Sequence, residues 1–119
     1  MKIFFVGIHN KPNKTALDST TKSGKLIDRV ILHLKKQNCI KTNLFNLNQI
    51  PKKINQHQEK WIKKYSPSSK DLIFLLGKEV QNLFPKKILC KNIIPLPHPS
   101  SIWSKKSQEK YIQHILSFT

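Results

Sequence analysis

Short apolar runs alternate with helix-patterned segments along the whole of this chain of 119 residues. Runs rich in β-branched and aromatic residues predict strands at 2–8, 39–45, 71–76 and 87–95. Apolar residues at helical spacing predict helices at 23–34, 54–65, 77–84 and 105–118. Because parallel strands need crossover connections, the alternation predicts an α/β fold: one domain, a four-stranded parallel sheet, and helices on both faces.

Three polar or proline-containing segments follow the predicted strands, at 9–22, 43–48 and 98–103. In a sheet of this kind, the loops at the carboxyl ends of the strands line one crevice, so we expect these segments to converge. The first loop is long for so small a domain, which indicates a use. All the glycines lie where a strand ends or a helix begins, which suits close backbone approach or a tight turn: Gly7, Gly24 and Gly77.

The charge of the chain favours a polyanionic partner. Lysine and arginine number 22 against 6 acidic residues, a formal net charge of +16 at pH 7. Nucleic acid is the first candidate. Arg29 is the only arginine, and lysine is better suited to phosphate contact than to reading base edges. The alternative is that the lysine content only reflects a biased coding composition.

Cysteine usage indicates neither a metal site nor a disulfide. Cys39 and Cys90 are far apart and form no CxxC pair, so no metal and no cofactor are expected, and the thiols suit a reducing compartment. The apolar start at 3–6 is too short for a signal peptide, and no segment could cross a bilayer. We expect a soluble intracellular protein, cytoplasmic or in the nucleoid or nucleus, that is monomeric.

Two prolines bracket a histidine after the last predicted strand. Pro97 and Pro99 restrict the backbone on both sides of His98, so the imidazole can be held in one direction at little entropic cost. We interpret His98 as a site residue; the alternative is a structural histidine in a turn. Ile102 and Trp103 follow it before a lysine-rich helix.

Ordered blocks covering nearly the whole chain resemble motifs of the uracil-DNA glycosylase superfamily: 6–12, 23–28, 41–44, 75–80 and 98–101. The first is similar to the family's first motif, the third to a strand carrying a base-reading asparagine, and the last to the second catalytic motif. The chain departs from the family in having His9 and Asn10 after the motif glycine. It also has Ser19 near the position of the base-stacking aromatic, and it lacks the cysteines of the iron–sulfur branch.

The resemblance implies a DNA glycosylase that flips uracil, or a related damaged or unusual base, out of DNA and hydrolyses its N-glycosidic bond. His98 would donate a hydrogen bond to the leaving base. Asn10, His9 and Asp18 are the candidates for placing the attacking water, and Asn10 is preferred for its place in the motif. DNA, single- or double-stranded, would be the partner.

The remaining site residues follow from the same resemblance. Asn43 would read the base edge, with Gly7 and Ile8 beside it; alternatively, its side chain bonds its own backbone. Trp103 would act as a wedge with Ile102, although a tryptophan is more often a core or interface residue. The residues expected to contact DNA are Ser100, Ser101, Ile102, Trp103, Lys105, Lys106 and Lys22.

Two other functions remain open. A protein of the same fold with degraded chemistry could serve as a DNA-binding or replication-accessory module, which the residues His9 and Asn10 and the missing stacking aromatic favour. A nucleotide-handling α/β enzyme acting on free nucleosides is the third reading, and it would leave the lysines unexplained.

Overall fold

The computed structural model describes residues 1–9, 16–34, 38–45 and 50–119, apart from the His9 side chain. The strands are β1 Lys2–His9, β2 Asn38–Phe45, β3 Leu72–Leu76 and β4 Ile93–Leu96. The helices are α1 Lys22–His33, α2 Ile54–Tyr65, α3 Lys78–Leu83 and α4 Lys105–Leu116. A 3-10 turn, Pro99–Ser101, lies between β4 and α4.

All the described strands form one parallel sheet in the order β2-β1-β3-β4, which confirms the predicted α/β class. The connection from β1 leads to one edge of the sheet, and the connection from β3 leads to the other edge. The carboxyl ends of β1 and β3 therefore flank a topological switch point. In open α/β sheets, ligands bind in the crevice at that place.

The helices cover both faces of the sheet, also as predicted. Alternate residues of β1 point to opposite faces: Ile3 and Phe5 face α1 and α4, while Phe4 and Val6 face α2 and α3. The first core is closed by Leu26, Ile27, Val30, Tyr111, Ile112 and Ile115. The second core is closed by Trp61, Val80 and Phe84. Helices thus pack on both faces of the sheet and leave its carboxyl edge at the surface.

The fourth strand is shorter than predicted. The ladder between β4 and β3 pairs only 93–96 with 73–76, so 87–92 is not a strand. In that segment the chain buries Cys90, whose thiol donates to the backbone oxygen of Asp71 at 3.1 Å. Pro95 is tolerated inside β4 because an edge strand has only one neighbour to bond. The last helix also ends earlier than predicted, at Leu116, where the chain tightens into 3-10-type bonds.

The two cysteines are free thiols, and burial raises the pKa of both Cys39 and Cys90. Among the residues that the structure describes, no helix is both long and apolar enough to span a membrane. The same residues contain no group of three or more His, Cys, Asp or Glu side chains able to hold a metal ion.

Candidate active site at the carboxyl edge of the sheet

The His98 side chain is fixed by the turn that follows it. The backbone N–H of Ser100 donates to His98 Nδ1 at 3.1 Å, and Ser100 Oγ lies 2.7 Å from the same nitrogen. Ser101 Oγ donates to the His98 carbonyl at 2.7 Å. Because a backbone N–H can only donate, Nδ1 is an acceptor, and the neutral ring carries its proton on Nε2. The imidazole is therefore held as a hydrogen-bond donor through Nε2.

Two distant elements support this loop. The Gly77 N–H donates to the Leu96 carbonyl at 2.9 Å, and a Cβ at Gly77 would lie 3.4 Å from His98 Cβ. Gly77 has φ +103°, a conformation that other residues rarely adopt. From α4, Tyr111 Oη donates to the Pro97 carbonyl at 2.7 Å. Burial raises the pKa of Tyr111, so its hydroxyl remains a donor throughout the working pH range.

A cleft of about 480 Å³ opens beside His98, between β4 and the start of α3. Gly77, Lys78 and Gln81 line it together with the His98 loop. Gln81 Nε2 donates to the Leu75 carbonyl at 3.2 Å and to the Leu96 carbonyl at 2.9 Å, which ties the ends of β3 and β4 together. The volume is within the range of small-ligand sites.

Asn43 fills the space next to Gly7, which has no side chain. It pairs in register with Gly7 on the neighbouring strand, and only 9% of its surface is exposed. A Cβ at Gly7 would overlap Asn43 Oδ1. The glycine thus makes room for the carboxamide at the end of β2. Ile8 does not share this face, because its side chain packs into the core under α2 and α3.

Asp18 builds the turn that leads into α1. Its Oδ1 accepts from the N–H and the hydroxyl of Thr20 at 2.9 and 2.6 Å, and its carbonyl accepts from the N–H and hydroxyl of Thr21. Thr21 then caps α1 by accepting from the Gly24 N–H at 3.0 Å. A Cβ at Gly24 would overlap the Asp18 carbonyl, so this glycine lets the turn pack on the helix. The carboxylate therefore has a structural task here, and its catalytic role remains a prediction.

The described part of the first loop lies beside β2, where Ala16 lines the same cavity as Asn43 and Ser19 Oγ accepts from Lys41 Nζ. The helix that follows it, α1, contacts the 3-10 turn after His98. Asn10 lies outside the described residues. The His9 backbone ends β1 opposite Phe45, and its side chain is likewise outside what is described. The proposed roles of Asn10 and His9 in placing water thus remain predictions.

A family model described as "Uracil DNA glycosylase superfamily" matches residues 1–118, nearly the whole chain. The chain belongs to the uracil DNA glycosylase superfamily. Comparisons with curated proteins and with solved structures found no match. Membership confirms the resemblance seen in the sequence blocks and indicates a DNA glycosylase-like function, since members of this superfamily are generally hydrolases that act on DNA.

In this superfamily member, the residues between the 3-10 turn and α4 differ sharply in burial. Ile102 is half-buried and packs against the core under α1 and α4. Trp103 is 75% exposed, so it is not the core residue that tryptophan more often is. Lys22 Nζ, from the first turn of α1, lies 5.4 Å from the centre of the Trp103 ring. The structure thus brings Lys22 and Trp103 together.

The start of α4 presents exposed cations beside this loop. Ser104 caps the helix, its Oγ accepting from the Ser107 N–H at 3.1 Å. Lys105 and Lys106 occupy the first turn and are exposed. Free backbone N–H groups and lysines at a helix start suit phosphate oxygens.

Sequence reasoning missed a basic cavity along the outer edge of β2. The cavity, of about 270 Å³, is bordered by Asn43, Lys41, Lys60 and Lys64, and the described residues that line it include no carboxylate. Lys41 is itself paired, its Nζ lying 2.7 Å from Asp28 Oδ1. Burial alone would raise the pKa of Asp28, but hydrogen bonds and the charge of Lys41 outweigh burial and lower it. The sequence feature that could have indicated this cavity is the spacing of four residues between Lys60 and Lys64, which places both lysines on one face of a helix.

Proposed function

We propose that the protein is a DNA glycosylase that flips uracil, or a related base, out of DNA and hydrolyses its N-glycosidic bond. The observation that carries the proposal is the His98 ring, whose Nδ1 accepts from the Ser100 N–H so that Nε2 is the donor. It lies at the carboxyl edge of the sheet in a member of a superfamily of DNA glycosylases.

In the proposed reaction, the bond between the sugar C1′ and the base nitrogen breaks, and its electron pair leaves with the base as an anion. A water oxygen bonds to C1′ and its proton passes to solvent, while the base anion takes up a proton from solvent and leaves as the neutral base. The His98 Nε2–H would donate to a carbonyl oxygen of the departing base and so stabilise the anion. A preorganised donor of this kind contributes roughly 100- to 1000-fold to the rate.

Asn43 would read the edge of the flipped base, because a carboxamide both donates and accepts without titrating. With strands about 4.8 Å apart, the backbones of β2 and β4 at the two edges of the sheet are separated by about 14 Å. A base between them could be reached by Asn43 from one side and by His98 from the other. Asn10 is the preferred residue for placing the water, with His9 and Asp18 as alternatives.

The phosphates flanking the flipped nucleotide would contact the start of α4 and the turn before it. Lys105 and Lys106 offer positive charge there, while the Ser100 and Ser101 hydroxyls, which bond to His98 in the free protein, would have to turn to reach a phosphate. Contacts of this kind position the DNA without reading its sequence.

A DNA-binding protein of the same fold without catalysis is the second candidate. The observation that favours it is Ser19, near the position where the family has a base-stacking aromatic. Its hydroxyl accepts from Lys41 Nζ at 3.1 Å and offers no stacking surface. The lysine content serves this function equally well.

A base-release assay separates the two functions. Oligonucleotides containing uracil, hypoxanthine, xanthine or hydroxymethyluracil are incubated with the wild type, and the free base is measured directly. We expect release of at least one base, and for His98→Ala a loss of roughly 100- to 1000-fold in single-turnover rate with DNA binding retained. His33→Ala, which removes an exposed histidine on α1, is the matched control and should leave the rate unchanged. DNA binding without release of any of these bases would contradict the glycosylase and favour the binding protein.

A further inference from the structure

Trp103 projects into solvent from a loop that is fixed on both sides. Before it, Ile102 packs into the core; after it, Ser104 caps α4. Trp103 is 75% exposed, whereas the other tryptophan of the chain, Trp61, is 3% exposed. An exposed indole does not contribute the hydrophobic stabilisation that a large aromatic side chain usually gives to a small core. The exposed ring is therefore a candidate contact surface.

One face of the Trp103 ring is occupied. Lys22 Nζ lies 5.4 Å from the ring centre, a cation–π distance, and Lys22 comes from α1 on the other side of the loop. With three quarters of its surface exposed, the ring keeps its second face open to solvent. The arrangement offers a single flat surface for stacking.

The number of open faces on the Trp103 ring distinguishes two ways in which the ring could contact DNA. A wedge inserted between the base pairs of a duplex is sandwiched and needs both of its faces. Proteins that hold single strands instead stack one base on an aromatic ring and place cations along the backbone. The covering of Trp103 by Lys22 therefore fits the second mode and argues against the wedge expected from the sequence.

We propose that Trp103, backed by Lys22, is a stacking platform for one base of an unpaired strand, and that single-stranded or locally unpaired DNA is the preferred substrate. The proposal rests on the proposed function for DNA as the ligand. It goes beyond that function because it states whether the bound DNA is single- or double-stranded and which residue makes the distinction.

The charges around the platform suit the phosphates on either side of a stacked base. Lys105 and Lys106 follow Trp103 after Ser104, and Lys22 Nζ lies over one face of the Trp103 ring. None of these three lysines takes part in an ion pair within the described residues, where the pairs are Lys2–Asp71, Arg29–Glu109 and Lys41–Asp28. Their charge is thus available to an external anion.

The first test compares strand states. A fluorescently labelled oligonucleotide without a damaged base is titrated with the full chain, as a single strand and as its duplex, at one salt concentration. Charge alone favours the duplex, which carries about twice the charge per length of axis. The platform predicts tighter binding to the single strand. Tighter binding to the duplex would overturn it.

The second test varies the ring. Trp103→Phe keeps an aromatic face and should retain most single-strand affinity. Trp103→Leu keeps an apolar wedge but has no face to stack on, and it should weaken single-strand binding roughly 5- to 100-fold with little change for the duplex. Leu89→Ala is the control, because Leu89 is exposed to the same extent, 76%, on the segment before β4. Equal affinity for Trp103→Leu and the wild type, or equal losses on both strand states, would contradict the platform.

Intrinsic fluorescence gives a readout that needs no variant. Trp61 is buried, so the solvent-accessible emission belongs to Trp103 and should be quenched when a base stacks on it. Unchanged emission at saturating single strand would also overturn the proposal. None of these measurements requires catalysis. Base release with binding that does not depend on Trp103 overturns the platform alone, and Trp103-dependent single-strand binding without base release overturns the glycosylase alone.

Discussion

The two edges of the sheet hold their key side chains in different ways, and the two side chains line separate cavities, His98 beside β4 and Asn43 along β2. On the β4 side, His98 is fixed by hydrogen bonds from Ser100 and Ser101, its near neighbours in sequence. On the β2 side, Asn43 has its position because Gly7, on another strand, has no Cβ. One side is built from local bonds that partly duplicate one another, and the other from a steric fit between two strands.

This difference predicts different sensitivities. Removing one hydrogen bond from the His98 loop leaves the others in place. Adding one methyl group at Gly7 takes away the space that Asn43 fills. The β2 side should thus be the more fragile, and the following predictions test whether it is.

Among the substitutions that leave His98 itself in place, the largest effect on base release is expected for Gly7→Ala, whose methyl group must displace the Asn43 carboxamide. We expect single-turnover base release to fall roughly 10- to 100-fold, as for Asn43→Ala, because both variants lose the hydrogen bonds to the base. The double variant should be no worse than Asn43→Ala alone, since the overlapping atom is then absent. Losses that multiply in the double variant would show that Gly7 does not act through Asn43.

On the opposite side, Gly77→Ala should act on stability first. Its φ of +103° is strained for any residue with a Cβ, so we expect the free energy of unfolding to fall by about 1–3 kcal/mol. The added methyl group would lie 3.4 Å from His98 Cβ, an ordinary van der Waals contact, so the rate of base release per folded molecule should stay close to that of the wild type. Lys78→Ala, at the exposed next residue, is the control for chemical denaturation and should change stability by less than about 0.5 kcal/mol. Equal stability of Gly77→Ala and wild type would refute the strain.

Low pH should destabilise both edges of the sheet together, because the sheet is held at its amino end by the buried carboxylate of Asp71. Burial alone would raise the pKa of Asp71, but N–H groups of Ser68 and Lys2 and the Lys2 charge outweigh burial and lower it. A lowered folded-state pKa means that its stabilisation is present above the unfolded-state pKa of about 3.9 and is lost as pH falls through the folded value.

Asp71→Asn should therefore lower the free energy of unfolding by about 1–2 kcal/mol at neutral pH, with the difference from wild type shrinking below about pH 4. Denaturant unfolding followed across pH measures this. A difference that grows as the pH falls would have the wrong sign. Asn82→Ala, at an exposed position of α3, serves as a control with no expected change in the pH dependence.

The smallest effect is expected for Ser100→Ala. The hydroxyl next to His98 Nδ1 is lost, but the backbone N–H of the same residue still donates to that nitrogen. We expect a loss of about two- to fivefold in base release, the value of one partly exposed hydrogen bond. A loss as large as that of His98→Ala would mean that the hydroxyl, rather than the backbone, holds the ring.

The sequence could predict features that depend on local pattern. The alternation of apolar runs with helical spacing sufficed for the class of fold, and the prolines around His98 marked the loop. The fourth strand was predicted too long because 87–92 has a strand-like composition, while the ladder is limited by β3. The relation of Gly7 to Asn43 depends on strand register, which no local pattern records.

The same limit applies to the DNA-facing surface. Ile102 and Trp103 are adjacent apolar residues, and nothing in the sequence distinguishes the one that is half-buried from the one that is exposed. The contact between Lys22 and Trp103 joins elements that are distant along the chain and so required the tertiary structure.

The most direct test of the central claim, that the loop presets His98 as a donor, is a nitrogen NMR measurement of its ring in the free protein. At a pH where the ring is neutral, the account predicts a proton on Nε2 and none on Nδ1, both in the wild type and in Ser100→Ala. A proton found on Nδ1, or rapid exchange between the two tautomers, would contradict it.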